Sequence, residues 1–264
     1  MEIYCINLDD RPERWARMLD VADRAGVTLN RISALGPQDI ARMTADGHPD
    51  VSGDFGTMGP ERIGCALSHL ACWRALLASD APWAVVLEDD VVLADGFADF
   101  LNKAQWPADA DLIRIEVATQ FATLDRIEPF MPGQRKIGRL LSPQNGSGGY
   151  VLTRKAAENL VADMNGIQVA VDLYLFTPQS FVPRGLTVYQ VTPAPVQQGC
   201  LMREHAAADW AQSSLDEEFI QKHMAAGQDD ASPIARRASK DIGRRARAVV
   251  RRLRGRVKTE LRFG

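Results

Sequence analysis

Cysteine is scarce in this 264-residue chain, and the four present, Cys5, Cys65, Cys72 and Cys200, form no Cys-x-x-Cys pair. That spacing excludes the usual zinc frameworks, and the density is too low for a disulfide scaffold; a reducing, cytoplasmic compartment is the expectation. The start, Met1-Glu2-Ile3-Tyr4-Cys5, lacks a basic stretch followed by an apolar one, so no signal peptide is expected. There is no apolar run long enough to cross a bilayer, so no membrane span is expected either. A Gly-x-Gly-x-x-Gly loop is missing after the first strand-like segment, where the chain reads Asp9-Asp10-Arg11-Pro12-Glu13-Arg14; a Rossmann dinucleotide fingerprint is thereby excluded.

What is present is a normal globular composition with an uneven charge. Apolar residues make up 46% and charged residues 25%, enough for a buried core in one large α/β domain with an appendage. The net charge is -3, but residues 236–264 hold twelve Arg/Lys against two acids, leaving residues 1–235 at a net -13. An acidic body argues against a general nucleic-acid binder, and a basic tail argues for a separate partner. In that tail Ile242, Ala246, Val249, Val250, Leu253, Val257 and Leu261 recur every three or four residues among arginines. The pattern predicts a basic amphipathic helix of the kind that lies on anionic membrane surfaces; a solvated tail is the alternative.

The segment that organises the rest is Trp83-Ala84-Val85-Val86-Leu87-Glu88-Asp89-Asp90-Val91-Val92-Leu93. The apolar run predicts a strand buried on both faces. Ligands of open α/β sheets bind beyond the carboxyl ends of strands. Three adjacent carboxylates there either repel one another or share a divalent cation completed by substrate phosphates. A solvated acidic turn is the plain alternative.

Around it, Ile3–Leu8 predicts a first strand. Pro12 opens a helix with Trp15, Met18, Leu19 and Ala22 on one face and Gly26 as its C-cap, and Val27–Ala34 completes a βαβ unit. Residues 36–62 are broken by Gly and Pro and predict an irregular loop. A helix follows over 63–79, with His69 expected as a satisfied core residue. Strands are expected at 111–117, 150–152 and 186–191, extended segments or a hairpin over 119–143, and a short helix from Gly96. Thr153 is placed to cap a further helix running to about Met164. Arg11 and Arg14, three apart at a helix start, face either solvent or a phosphate. Gly146, Gly148 and Gly149 make either a sharp bend or a close backbone approach to a ligand. Asp172, flanked by Val171, Leu173, Tyr174 and Leu175, is a candidate general base, or else a buried hydrogen-bonded or capping carboxylate.

Four pieces occur in order: Ile6-Asn7-Leu8-Asp9-Asp10-Arg11-Pro12-Glu13-Arg14, Ile63-Gly64-Cys65-Ala66-Leu67-Ser68-His69, Leu87-Glu88-Asp89-Asp90, and Gly146-Ser147-Gly148-Gly149-Tyr150-Val151-Leu152-Thr153-Arg154-Lys155-Ala156-Ala157. Over roughly residues 1–200 this resembles glycosyltransferase family 25, whose bacterial members build lipooligosaccharide and lipopolysaccharide sugars and which is similar to collagen galactosyltransferases. Arg62 departs from the acid usual before the Ile-Gly-Cys step, and the segment after Gln197 matches no pattern carried over.

The resemblance implies a GT-A-like α/β fold, a mixed sheet flanked by helices over residues 1–235, with the basic tail over 236–264. It implies an inverting transfer of a hexose, galactose above others, from a UDP-sugar to a saccharide or glycolipid acceptor at the inner face of the bacterial membrane. Glu88-Asp89-Asp90 then corresponds to the cation motif, with Asp90 and Glu88 as ligands of Mn²⁺ or Mg²⁺ and Glu88 or Asp89 assisting at the donor. Asn7, Leu8, Arg11 and Arg14 would hold the nucleotide, and Ser147 and Gly148 would border the sugar. Asp172 is the first candidate base and Glu116 the second. A metal-dependent nucleotidyltransferase and a non-catalytic binding module are the rival readings.

Overall fold

The structure is a computed structural model and describes residues 1–130, 135–164, 167–178, 185–202, 208 and 256–264. The first strand, β1 (Glu2–Leu8), runs parallel to β2 (Asn30–Ala34) on one side and to β3 (Trp83–Glu88) on the other. Between β1 and β2 lies α1 (Pro12–Ala25), with Pro12 in its first turn and Gly26 ending it at φ 69°, where a residue without a Cβ is favoured. The expected βαβ unit is therefore present.

A single nine-stranded mixed sheet follows. Its remaining strands are β5 (Leu112–Arg114), β6 (Phe121–Phe130), β7 (Arg135–Leu140), β8 (Gly149–Thr153), β9 (Val188–Thr192) and β11 (Arg256–Glu260). The order is β11-β6-β7-β9-β5-β8-β3-β1-β2. Strand β8 is antiparallel to both β3 and β5, and β9 is parallel to β5. A separate two-stranded ladder joins β4 (Val91–Leu93) to β10 (Val196–Gln198).

Burial on both faces explains the sequence of β3. Ala84 and Val86 point into a core shared with α3 (Pro60–Ala78), α5 (Arg154–Asp163) and α6 (Val171–Phe176). Val85 and Leu87 point the other way, toward Met18 of α1 and Phe97 and Phe100 of α4 (Phe97–Lys103). Alternation of side chains in an extended chain makes this two-sided burial possible, so the run reads as continuously apolar. Thr153 caps α5 by accepting a hydrogen bond from the Ala156 N–H at 3.0 Å. Helix α3 comes close to the turn that follows β2. A Cβ on Gly64 would lie 2.0 Å from the Leu35 carbonyl oxygen, and Ser68 Oγ accepts the Leu35 N–H at 2.9 Å.

Two expectations are corrected. Residues 36–62 are not simply irregular: α2 (Pro37–Ala45) and a short 3₁₀ turn (Pro49–Val51) occupy part of them. Ile40 is the buried residue of α2, and nine residues with one buried apolar contact leave little periodic signal. The tail also differs at its end. Arg256–Glu260 is an antiparallel partner of β6, not helix. Thr259, Leu261 and Phe263 turn inward while Lys258, Glu260 and Arg262 stay exposed, a period of two that the four-residue spacing of Val257 and Leu261 obscured. Residues 236–255 lie outside the described residues. No helix among the described residues is long and apolar enough to cross a membrane.

Candidate active site

Topology brings the chemistry to one end of the sheet. In the parallel β1–β3 pair Ile6 lies opposite Glu88, so the chain leaves both strands side by side at Asn7 and Asp89. Gly149, the first residue of antiparallel β8, lies opposite Leu87, and Glu116 follows β5 at the same end. The carboxyl ends of β1, β3 and β5 thus meet the glycine turn before β8.

The three acids have three different surroundings. Asp89 is fixed. Asn7 Nδ2 donates to its Oδ2 at 2.6 Å, and Arg14 Nη1 lies 3.2 Å from its Oδ1. Arg17 donates to the backbone carbonyls of Asp89 and Val91, at 3.2 and 2.6 Å. Arg31 Nε in turn donates to Asn7 Oδ1 at 2.9 Å. Burial pushes the Asp89 carboxyl up despite Asn7 and Arg14.

Glu88 faces the opposite way. Ser147 Oγ donates to its Oε1 at 2.7 Å, His69 Nε2 lies 3.4 Å from the same oxygen, and Gln198 Nε2 donates to Oε2 at 3.4 Å. Burial opposes ionisation, but His69 and the hydrogen bonds from Ser147 and Gln198 outweigh it, and the carboxyl is held below its usual range. The imidazole is itself oriented. Trp73 Nε1 donates to Tyr150 Oη at 2.8 Å, and Tyr150 Oη lies 2.9 Å from His69 Nδ1. An indole N–H only donates, so the Tyr150 proton goes to Nδ1 and the imidazole proton sits on Nε2, facing Glu88.

Asp90 has neither arrangement. Its side chain is buried, and Oδ1 has no hydrogen-bond partner among the described residues. Burial first, then the Glu88 and Asp89 charges, push this carboxyl well above its usual range. Of the two neighbouring carboxylates, Glu88 is thus the one whose charge is favoured and Asp90 the one whose charge is opposed.

The glycine turn is built on carboxylates. The Gly146 N–H donates to Asp172 Oδ2 at 3.0 Å, Ser147 Oγ to Glu88, and the Gly148 N–H to Glu116 Oε2 at 2.9 Å. Gly146 has φ 87°, and a Cβ there would lie 2.8 Å from Glu116 Oε1. Asp172 also accepts the Leu173 N–H, at 2.8 Å, in the first turn of α6. Glu116 is wholly buried beneath the turn, with Oε1 lacking a hydrogen-bond partner among the described residues, and burial pushes its pKa up to about 7 against the pull of Arg114. Arg114, also wholly buried, donates to the Glu116 carbonyl at 2.7 Å and to Gln190 Oε1 at 3.1 Å.

Most of the residues singled out from the sequence therefore gather at one place: Asn7, Arg14, Glu88, Asp89, Asp90, Glu116, Ser147, Gly148 and Asp172. Leu8 ends β1 at the rim, and its carbonyl accepts the Arg11 N–H at 3.0 Å. Arg11 is exposed and lies 3.8 Å from Asp10. Sequence reasoning missed Arg17, Arg31, Arg114, Gln190 and Gln198, and it favoured a satisfied core role for His69. His69 is core, and it also reaches Glu88. The spacing of Cys65, Ser68 and His69 on one helix, turned toward the acid-tipped strand, was the available signal.

The sequence model of glycosyltransferase family 25 (LPS biosynthesis protein) matches residues 1–175. The lacto-N-neotetraose biosynthesis glycosyltransferase LgtE of Neisseria gonorrhoeae is 28% identical over 228 residues, covering 81% of this chain and 79% of that protein. LgtB, of the same description, from Neisseria meningitidis serogroup B is 27% identical over 205 residues, 74% of each chain. The lipooligosaccharide biosynthesis protein lic2B of Haemophilus influenzae is 30% identical over 150 residues, 52% of this chain and 54% of that one.

Proposed function

The chain belongs to glycosyltransferase family 25, and from that membership we propose that it transfers a hexose, with galactose as the first candidate, from a UDP-sugar to a saccharide of lipopolysaccharide or lipooligosaccharide. The observation that carries the reading is Asp90: a buried carboxylate whose Oδ1 has no partner among the described residues, beside a Glu88 whose carboxyl is held below its usual range. A divalent cation resolves that arrangement, because oxygen ligands with two adjacent negative charges suit Mn²⁺ or Mg²⁺. Asp90 and Glu88 are its ligands in this proposal. When bound, such an ion neutralises charge on a leaving diphosphate.

The remaining residues support that chemistry. Asp89, held by Asn7 and Arg14, fixes the turn that carries Glu88 and Asp90. The donor nucleotide lies beyond Leu8 at the end of β1, where Arg11 is the exposed arginine for its phosphates. Ser147 and Gly148 border the sugar. Asp172, which borders the glycine turn through the Gly146 N–H, takes the acceptor proton as the hydroxyl attacks with inversion. Glu116 lies beneath the turn and holds it through the Gly148 N–H. General-base action of this kind contributes typically ~10²–10⁴-fold. Asp172→Asn should keep donor binding and lose turnover by roughly that factor; turnover within a few-fold of wild type removes this role.

Titration calorimetry of UDP with and without Mn²⁺ tests the cation site. Metal-dependent binding by wild type and its loss in Asp90→Ala support the reading, and unchanged binding in the variant overturns it. The nine Arg/Lys against one Asp within residues 236–255 favour attachment to an anionic membrane face, where the acceptor lipid resides. Deleting 236–255 should abolish co-sedimentation with anionic vesicles; retained binding excludes the tail as the anchor.

A further inference from the structure

Cys65 and His69 stand four residues apart on α3 and so share one face of that helix, the face turned toward the end of β3. One ligand atom from each of Cys65, His69 and Glu88 lies within 4.8 Å of the other two. His69 Nδ1 is taken by Tyr150 at 2.9 Å, which leaves Nε2, 3.4 Å from Glu88 Oε1, as the nitrogen that faces the cluster. Metal-bound imidazoles characteristically hold their other nitrogen against a fixed oxygen, and the Tyr150 hydroxyl, anchored by Trp73, is such a partner.

We propose that Cys65, His69 and Glu88 form a second metal site, for a thiophilic divalent ion of the zinc class, which competes with the donor cation for Glu88. A sulfur, a nitrogen and a carboxylate oxygen make a zinc-type ligand set with one position left for water. It differs from the all-oxygen set of Asp90 and Glu88, which suits a hard ion. Ion entry displaces the Cys65 thiol proton to solvent; the imidazole proton moves from Nε2 to Nδ1, and the Tyr150 hydroxyl keeps its own proton but turns it away from Nδ1, so that its oxygen accepts the Nδ1–H. The Glu88 carboxylate then belongs to the zinc-class ion and is withdrawn from Asp90. The consequence is inhibition of transfer by thiophilic divalent ions and its reversal by a chelator.

The inhibition rests on the donor-cation reading; the binding itself does not, and the two are read separately. Cobalt is titrated into the full chain, and the sulfur-to-cobalt charge-transfer absorption is followed. Wild type and Asp90→Ala should both develop the band, and Cys65→Ser should not. A band absent from folded wild type, or one that persists in Cys65→Ser, overturns the site. Zinc is then titrated against Mn²⁺-supported UDP release. Cys65→Ser should keep its basal release and need at least ~10-fold more zinc for half-inhibition, since loss of even an outer-shell partner of a metal weakens binding by ~10–100-fold. Equal zinc sensitivity of wild type and Cys65→Ser overturns the competition. Should UDP release be missing altogether, the donor reading fails while the cobalt band still decides the second site. Circular dichroism of Cys65→Ser confirms that a lost band is not a lost fold.

Discussion

Asn7 and Asp89 meet across the β1–β3 pair, Asn7 Nδ2 donating to Asp89 Oδ2 at 2.6 Å. This contact separates an anchored Asp89 from the two acids proposed to hold the cation. Asp89 is tied to the body through Asn7 and Arg14, while Asp90 Oδ1 has no hydrogen-bond partner among the described residues. Asn7→Ala should therefore destabilise the fold by ~1–3 kcal/mol, the range for leaving a buried polar partner unsatisfied. Urea denaturation measures it, and a change under ~0.5 kcal/mol, typical of an uninvolved surface site, would mean the anchor lies elsewhere.

Asp90 should behave in the reverse sense. Its ionised form is disfavoured by burial and by Glu88 and Asp89. Asp90→Asn removes that conflict and should raise the metal-free Tm. At roughly 2–4 °C per kcal/mol for a chain of this class the gain is visible by calorimetry. The same variant should lose any additional stabilisation by Mn²⁺ with UDP. A Tm at or below wild type argues that the Asp90 carboxylate has an unseen partner.

Glu116 makes stability depend on pH. Burial raises its pKa from an ordinary 4.5 to about 7. Between those values the folded state holds a proton that the unfolded state releases, so the contribution is fully present below about 4.5 and is lost as pH rises through about 7. At ~1.4 kcal/mol for each tenfold change in proton affinity, the swing is of order 3 kcal/mol. Denaturation midpoints at pH 5 and pH 8 should differ by more in wild type than in Glu116→Gln. Parallel pH profiles contradict a buried, proton-binding Glu116.

Gly64 tests the packing that carries His69. With the Leu35 carbonyl oxygen 2.0 Å from where a Cβ would lie, Gly64→Ala has to push α3 off its loop. Overpacking of this kind costs ~1–3 kcal/mol, although alanine is the better helix former by ~1 kcal/mol. Net destabilisation in thermal denaturation is the expected result, and a stabilised variant means that the loop moves freely.

Much of this was legible in the sequence because the signals are local. The apolar run of β3, Pro12 and Gly26 around α1, and Thr153 before α5 each have a short-range cause. So does the clustering of Glu88, Asp89 and Asp90, because a strand end fixes where neighbouring residues go. The division of labour among them was not legible. It depends on Asn7, Arg14 and Arg17 on one side and on His69, Ser147 and Gln198 on the other, as far apart as 110 positions in the chain. Arg114 was hidden for the same reason: an arginine inside a strand reads as an edge until its partners Glu116 and Gln190 are seen beside it. The tail shows the opposite failure. Its closing residues, Arg256-Val257-Lys258-Thr259-Glu260-Leu261, fit a strand period as well as a helical one, and the pairing with β6 decided between them.

In the proposed reaction Asp90 and Glu88 hold the ion that makes a UDP-sugar reactive. UDP release, measured with a lipooligosaccharide acceptor across a panel of UDP-sugars, tests it most directly. The wild-type protein should release UDP from at least one sugar only when Mn²⁺ or Mg²⁺ is supplied, and Asp90→Ala should lose that release by a factor of ~10² or more, the scale on which a lost transition-state charge contact acts. Metal-independent release by wild type, or undiminished metal-dependent release by a folded Asp90→Ala, contradicts it.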